Sequence, residues 1–291
     1  MITCRDGALV IRRQDSSETV CEGNPLDALK AYYSSFEIRS EGGELPFTGG
    51  LVGSLGYDFI RYTEDLPDNN PDEIGIADIQ LMLMKEFLVA DYEAETLTAI
   101  ILEADDRDGK QRAAAKADEL LTIVRRKSRE ERPAFHHDGV IVKKSDTLEE
   151  YSEKVEKIRH YIREGDIFQT VLSQRWTIRT EQDGFELYQE LRELNPSPYL
   201  YYFNFSEFEI IGSSPEMIVK QSGNRVYTCP IAGTRPRGKT PEEDEALQKE
   251  LLSDEKERAE HVMLVDLARN DMGRIAEFGS VKVSRFMDVQ L

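Results

Sequence analysis

A chain of 291 residues with 40% apolar side chains, 12 Tyr and 12 Phe can bury a substantial core, as one large domain or two of ordinary size. Its formal net charge of −19 sets most of the surface against nucleic-acid backbones and anionic membranes, and no stretch approaches the roughly 18 apolar residues of a membrane span. Cys4, Cys21 and Cys229 are too widely spaced for a disulfide framework or a zinc pattern, and the N-terminus lacks a basic-then-apolar signal, so a reducing, cytoplasmic setting is the expectation.

Residues 1–22 read as short strands, with Asp6-Gly7 turning one into the next. Asn24-Pro25 caps a helix that runs to about Tyr33. The stretch Phe47-Thr-Gly-Gly-Leu-Val-Gly-Ser-Leu-Gly-Tyr-Asp58 has glycines three apart, but neither the GxGxxG spacing nor a phosphate-loop lysine. It reads as a strand whose glycines let neighbours approach closely. Residues 64–73, acidic and carrying prolines and asparagines, form a loop. Strands follow over 77–90 and 96–103, with a turn near Glu93. A helix from Ala113 to Val124 then lines up Ala113, Ala117, Leu120, Leu121 and Val124. The charge-dense segment Arg125 to Gly139, with Pro133, reads as a linker between an N-terminal region, 1–135, and a second region, 136–291. The adjacent His136-His137 within it has no third ligand nearby and reads as solvated loop.

Thr147-Leu-Glu-Glu150 is a capping box opening a helix with Tyr151, Val155, Ile158 and Ile162 on one face, stopped by Gly165. Alternation suggests a strand from Asp166 to about Ile178, with Phe168, Leu172 and Trp176 on one side and Gln169 on the other. Gln169 there is either a satisfied core amide or a substrate contact. Asn195-Pro-Ser-Pro198 is a rigid turn before an aromatic strand, Tyr199 to Phe205. Turns at Ser206-Glu207 and Ser222-Gly223-Asn224 give strands over Phe208 to Gly212 and Val226 to Ile231. Consecutive hairpins of this kind make an α+β fold with antiparallel sheet.

Glu216 follows Pro215 directly after a strand. Partly desolvated at a sheet's end, such a carboxyl can act as a general acid; a surface glutamate at a turn is the plainer account. Gly233-Thr234-Arg235 can offer amides, a hydroxyl and a guanidinium to a carboxylate, with Arg235, Arg237 and Lys239 locally reversing the acidic field. The same residues equally suit a basic loop that counters acidic helices. Thr240-Pro-Glu-Glu243 then starts a helix with an N1 proline and a capping-box glutamate. In a helix near 254–269, Glu257, Glu260, His261 and Leu264 share one face. Two carboxylates three apart suit Mg²⁺, although acidic residues in a first turn also answer the helix dipole.

These segments together resemble the chorismate-utilising enzymes, and within them the anthranilate synthase component I group. The matching stretches are Gly165-Asp-Ile-Phe-Gln-Thr-Val-Leu-Ser-Gln-Arg175, Asn195-Pro-Ser-Pro-Tyr199, Gly212-Ser-Ser-Pro-Glu216 and Pro230-Ile-Ala-Gly-Thr-Arg-Pro-Arg-Gly238. Leu251-Leu-Ser-Asp-Glu-Lys-Glu-Arg-Ala-Glu-His261 and Met263-Leu-Val-Asp-Leu-Ala-Arg-Asn-Asp271 complete the set, and Phe47 to Asp58 matches the family's N-terminal portion. The resemblance implies an α/β sandwich with large antiparallel sheets, here incomplete at the C-terminus.

It also implies a lyase of tryptophan biosynthesis. Such an enzyme converts chorismate and ammonia to anthranilate and pyruvate with Mg²⁺, in a hetero-oligomer whose partner is a glutamine amidotransferase subunit. By the same likeness Glu216 protonates the departing hydroxyl, Gly233 and Thr234 contact substrate, and Glu257 and Glu260 contact the metal. Pro198, Tyr199 and Leu200 match half of an effector pocket. Relatives that add water carry a lysine base where this chain has Gln169. Those making aminodeoxychorismate commonly carry a nucleophilic lysine where it has Ala232. Gln169 therefore favours an amine-adding enzyme, and Ala232 favours anthranilate synthase over aminodeoxychorismate synthase. Aminodeoxychorismate synthase component I is the alternative, and a non-catalytic fragment that only binds the amidotransferase is another. The family's later histidine, tyrosine, arginine and glycine-rich motifs, and its second metal glutamate, would fall beyond Leu291; these 291 residues alone are expected to fold poorly and to form little or no anthranilate. The effector-binding Leu-Glu-Ser segment is also absent from the front, which argues against tryptophan feedback inhibition.

Overall fold

The computed structural model describes residues 1–13, 15–39, 47–126 and 138–290. The chain divides into two compact units, Met1–Arg132 and Pro133–Leu291. His136-His137 and most of the expected linker lie outside the described residues.

The first unit runs β1 (Ile2–Arg5), β2 (Ala8–Arg12), β3 (Glu18–Cys21), α1 (Pro25–Ser34), β4 (Gly50–Leu55), a 3₁₀ turn over Tyr57–Tyr62, β5 (Ile79–Met84), β6 (Glu86–Asp91), β7 (Thr96–Ile101) and α2 (Gly109–Arg125). Five strands form one antiparallel sheet in the order β3-β2-β1-β5-β4. Its register stacks apolar residues in rows: Ile2 faces Ile11 and Leu81, and Cys4 faces Leu9 and Ile79. Period-two alternation therefore gathers six buried side chains on one face, which Leu29, Tyr32, Leu51, Phe59 and Tyr62 cover. The Tyr62 hydroxyl donates to Asp78 at 2.6 Å and accepts from the Gly7 amide at 3.2 Å, so the buried end of the ring is satisfied.

The expected glycine-rich strand is β4, and close approach is indeed what its glycine serves. A Cβ on Gly53 would stand 2.0 Å from the Gln80 carbonyl oxygen of β5. The expected single strand over 77–90 is instead two. At Lys85 the chain leaves the five-stranded sheet, and Glu86 onward pairs with β7 as a separate hairpin. An unbroken apolar run carries no sign of that change of partner.

The second unit runs β8 (Val140–Lys144), α3 (Leu148–Glu164), β9 (Trp176–Arg179), α4 (Gly184–Leu194), β10 (Tyr199–Asn204), β11 (Glu209–Ser214), β12 (Lys220–Ser222), β13 (Arg225–Tyr227), α5 (Pro241–Ser253) and α6 (Glu255–Gly273). Its ladders are the antiparallel hairpins β10–β11 and β12–β13 and the antiparallel pair β8–β9. The Thr147–Glu150 capping box closes in both directions, and Gly165 ends α3 in the left-handed region at φ 81°.

Two expected strands are shortened here and one helix was missed: the strand expected over Val226 to Ile231 ends at Tyr227. Residues 166–175 are not strand: β8 offers partners only to Trp176–Arg179, so the apolar alternation before them has no ladder to join. The helix α4 was not foreseen, although Asp183 caps it through the Phe185 amide at 2.8 Å. Phe185 and Tyr188 pack against Tyr202 of β10, with ring centroids 5.3 and 6.0 Å away. Among the described residues Phe205 is the unit's one buried apolar side chain, while Phe168, Val171 and Ile218 are each more than 80% exposed. The family of folds is α+β, as expected, with helices against antiparallel hairpins.

Candidate functional site

The carboxyl end of β11 carries the Gly-Ser-Ser-Pro-Glu motif, and serine hydroxyls fix it to the Asn-Pro-Ser-Pro turn. Ser213 Oγ donates to the Asn195 carbonyl at 2.7 Å and Ser197 Oγ to the Ser214 carbonyl at 2.9 Å. The two hydroxyls meet at 3.0 Å. Pro198 precedes β10, and Tyr199 and Leu200 register directly against Ser214 and Ser213. The candidate effector residues are thereby tied to the backbone that leads into Glu216. No sequence signal marked these hydroxyls as partners.

Glu216 is exposed. The desolvation that would favour a general acid is therefore not present around it in these residues. Its Oε1 accepts the Ile231 amide at 3.3 Å, which anchors it to the loop of residues 230–238. Two residues on, Gly233 adopts φ +70°, and a Cβ placed there would lie 3.0 Å from Glu257 Oε2. The left-handed φ favours glycine there, and a side chain would press on the ends of Glu257 and Leu251. Glu257 and Glu260 sit one turn apart on α6, both partly buried. Glu260 Oε1 accepts the Gln169 side-chain amide at 3.2 Å. Gln169 is thus neither on a strand nor a core amide; it is an exposed group that reaches α6 from an irregular segment. The sequence-predicted residues Glu216, Gly233, Glu257, Glu260 and Gln169 are joined by these contacts, and Thr234 follows Gly233 in the same loop.

The basic loop behaves differently from the anion clamp considered above. Arg235 donates to Glu250 at 3.1 Å and to Asp254 at 3.0 Å, and Arg237 pairs with Asp244 at 2.6 Å. Their charges answer the acidic helices and are not free to reverse the surface field. The helix-start expectation at Thr240 is corrected in the same place. Thr240 Oγ1 does accept the Glu243 amide, at 3.2 Å, but Glu243 returns its carboxylate to the Lys239 amide at 2.6 Å and not to the cap's own.

These pairings set a pH dependence. The Glu257 amide, with Lys256's amide and Arg235 after it, holds the Asp254 carboxyl below the usual aspartate range. Arg237 and the Gly238 amide do the same for Asp244. A lowered folded pKa gives stability that is present above the unfolded value and lost as pH falls through the folded one. The corner between α5 and α6 is therefore expected to hold from neutral pH down to about 4 and to loosen progressively below it. Amide hydrogen exchange of residues 238–258 between pH 5 and pH 2.5 measures this. Protection factors at the corner as large at pH 2.5 as at pH 5 would contradict it.

Among the described residues no group of three or more His, Cys, Asp or Glu is placed to enclose a metal. Glu257 and Glu260 supply two oxygen donors, the chemistry Mg²⁺ takes when it keeps most of its waters. The residues present fit that ion in donor type.

A proton-donor candidate after a strand, a glycine loop seated on a helix and paired carboxylates one turn apart define an enzyme-like site on an α+β scaffold. Residues 6–290 match the chorismate binding enzymes, and the chain belongs to that family. It is 43% identical to the anthranilate synthase component 1 of Acetivibrio thermocellus, over 97% of this chain and 59% of that one. It is 38% identical to the aminodeoxychorismate synthase component 1 of Bacillus subtilis, over 98% of this chain and 61% of that one. A crystal structure of anthranilate synthase component I from Streptococcus pneumoniae TIGR4 superposes with a TM-score of 0.85 at 35% identity, covering 100% of this chain and 63% of that one. The chain thus spans about three fifths of the length of the proteins it resembles. Among the described residues no helix is long and apolar enough to cross a membrane.

Proposed function

We propose that this chain is the chorismate-handling portion of an anthranilate synthase component I, a cytoplasmic lyase of the tryptophan pathway. In the overall reaction chorismate and ammonia give anthranilate, pyruvate and water. Glu216 gives a proton to the hydroxyl as it leaves the ring, so that it departs as water. The Gly233–Thr234 backbone orients the substrate. Gln169, a neutral amide, cannot deprotonate water, which leaves ammonia as the nucleophile. When bound, Mg²⁺ held by Glu257 and Glu260 would neutralise the negative charge of a dicarboxylate near this acidic surface. Ammonia would come from a glutamine amidotransferase subunit in a hetero-oligomer.

The observation that carries this reading is the linkage of three motifs: Glu216 accepts the Ile231 amide, and Gly233, two residues on, rests against Glu257. The test is an assay with chorismate, Mg²⁺ and ammonium, following anthranilate fluorescence. It compares the 291 residues alone with the same chain continued by the C-terminal part of the Acetivibrio thermocellus relative. The continued chain is expected to form anthranilate and the 291 residues alone little or none. A product from the continued chain that keeps its pyruvyl ether would instead assign aminodeoxychorismate synthesis. No chorismate turnover by either would reject the proposal and leave a role in binding the amidotransferase.

A further inference from the structure

The Arg235 guanidinium has every direction occupied. Nε donates to Glu250 Oε1 at 3.1 Å, and Nη2 lies 3.0 Å from both Glu250 Oε1 and Asp254 Oδ2. Nη1 donates to the Thr234 carbonyl at 3.0 Å and stands 3.6 Å from Glu257 Oε1. The Arg235 and Glu257 side chains are only 21% and 22% exposed, so screening between them is weaker than at an open surface. Asp254, which Arg235 grips, also accepts the Glu257 backbone amide at 3.2 Å. One cation therefore fixes the loop's backbone, the cap of α6 and the side chain of Glu257. Charge then works in two directions. The guanidinium draws three carboxylates together, and it repels any second cation brought to Glu257.

We infer that Arg235 is a positioning residue that acts as the resident counter-charge of Glu257, holding that carboxylate against the Gly233–Thr234 loop without a metal and keeping divalent-cation affinity down. This rests on the reading of Glu257 as a metal carboxylate. The two effects have opposite signs, and that separates them from simple structural support. Removing the charge loosens the metal-free site. It also leaves the acidic cluster more attractive to a dication.

The experiment titrates Mg²⁺ alone into the chain continued by the C-terminal part of the Acetivibrio thermocellus relative, by calorimetry, and follows thermal unfolding with and without Mg²⁺. It compares the unsubstituted chain with Arg235→Gln, Arg235→Lys and Glu257→Gln. Arg235→Gln is expected to melt lower without metal, to bind Mg²⁺ roughly three- to tenfold more tightly and so to gain more from its presence. Arg235→Lys keeps the charge but loses the planar fork. Its Mg²⁺ affinity should stay within about twofold of the unsubstituted chain while its metal-free melting point falls, and this variant carries the test if Arg235→Gln does not fold. Mg²⁺ affinity that is unchanged or weakened in Arg235→Gln, or that moves beyond about twofold in Arg235→Lys, overturns the inference alone. An unsubstituted chain that takes no Mg²⁺, or that binds it no better than Glu257→Gln, removes the metal reading and the inference with it.

Discussion

Replacing Glu216 with glutamine is expected to lower kcat for anthranilate formation about 10²- to 10⁴-fold, the usual contribution of a positioned general acid. The substitution is nearly isosteric, and the amide oxygen can still accept the Ile231 amide that holds Glu216 to the loop. What glutamine lacks is a transferable proton, so the hydroxyl must depart as a far poorer leaving group. The measurement uses the chain continued by the relative's C-terminal part, with ammonium as nitrogen source so that the amidotransferase does not limit the rate. Mg²⁺ affinity serves as control, because Glu216 contacts neither Glu257 nor Glu260 directly. A kcat within about threefold of the parent enzyme would remove Glu216 from proton transfer.

A second large effect is expected in the first unit. Gly53→Ala places a methyl group 2.0 Å from the Gln80 carbonyl oxygen and 3.0 Å from the Leu81 Cα, and both obstacles are backbone. No rotamer change relieves such a clash, so β4 must separate from β5, the strand that carries the buried Ile79 and Leu81. Overpacking costs about 1–3 kcal/mol even when side chains give way. The upper end applies here, about 3 kcal/mol, and melting of this unit should fall by roughly 10 °C. Gly273→Ala is the comparison, because nothing lies within 4 Å of the position a Cβ would take there. It should be neutral or stabilise by about 0.5 kcal/mol. Equal melting points for the two variants would show that the strands slide freely at Gly53.

Local chemistry was legible in the sequence wherever a single residue decides a backbone state. Asn24 and Thr147 cap their helices through their side chains, Gly165 ends one because it has none, and the Asp6-Gly7 turn takes positive φ at both positions. Pairing was less legible, because it depends on what lies opposite. Residues 166–175 alternate like a strand and find no partner, and the run through Lys85 changes sheet with no break in apolar character. The site follows the same division. Motif order singled out Glu216, Gly233, Glu257 and Glu260, and Gln169 reaches Glu260 although its segment is not the strand expected. The charge partners of the basic loop were left open between a ligand and the acidic helices: which of them Arg235 faces depends on how α5 turns into α6, and spacing along the chain does not encode that angle.

Asp254 sits where those two helices join, and it closes one while opening the other. Its amide donates to the Glu250 carbonyl at the end of α5, and its carboxylate accepts the Lys256 and Glu257 amides at the start of α6. A single residue in both offices couples the end of α5 to the start of α6. Tilting α5 must drag the first turn of α6, and with it Glu257, in the same direction. Displacing α5 would therefore strain the hydrogen bonds that open α6 beside Glu257.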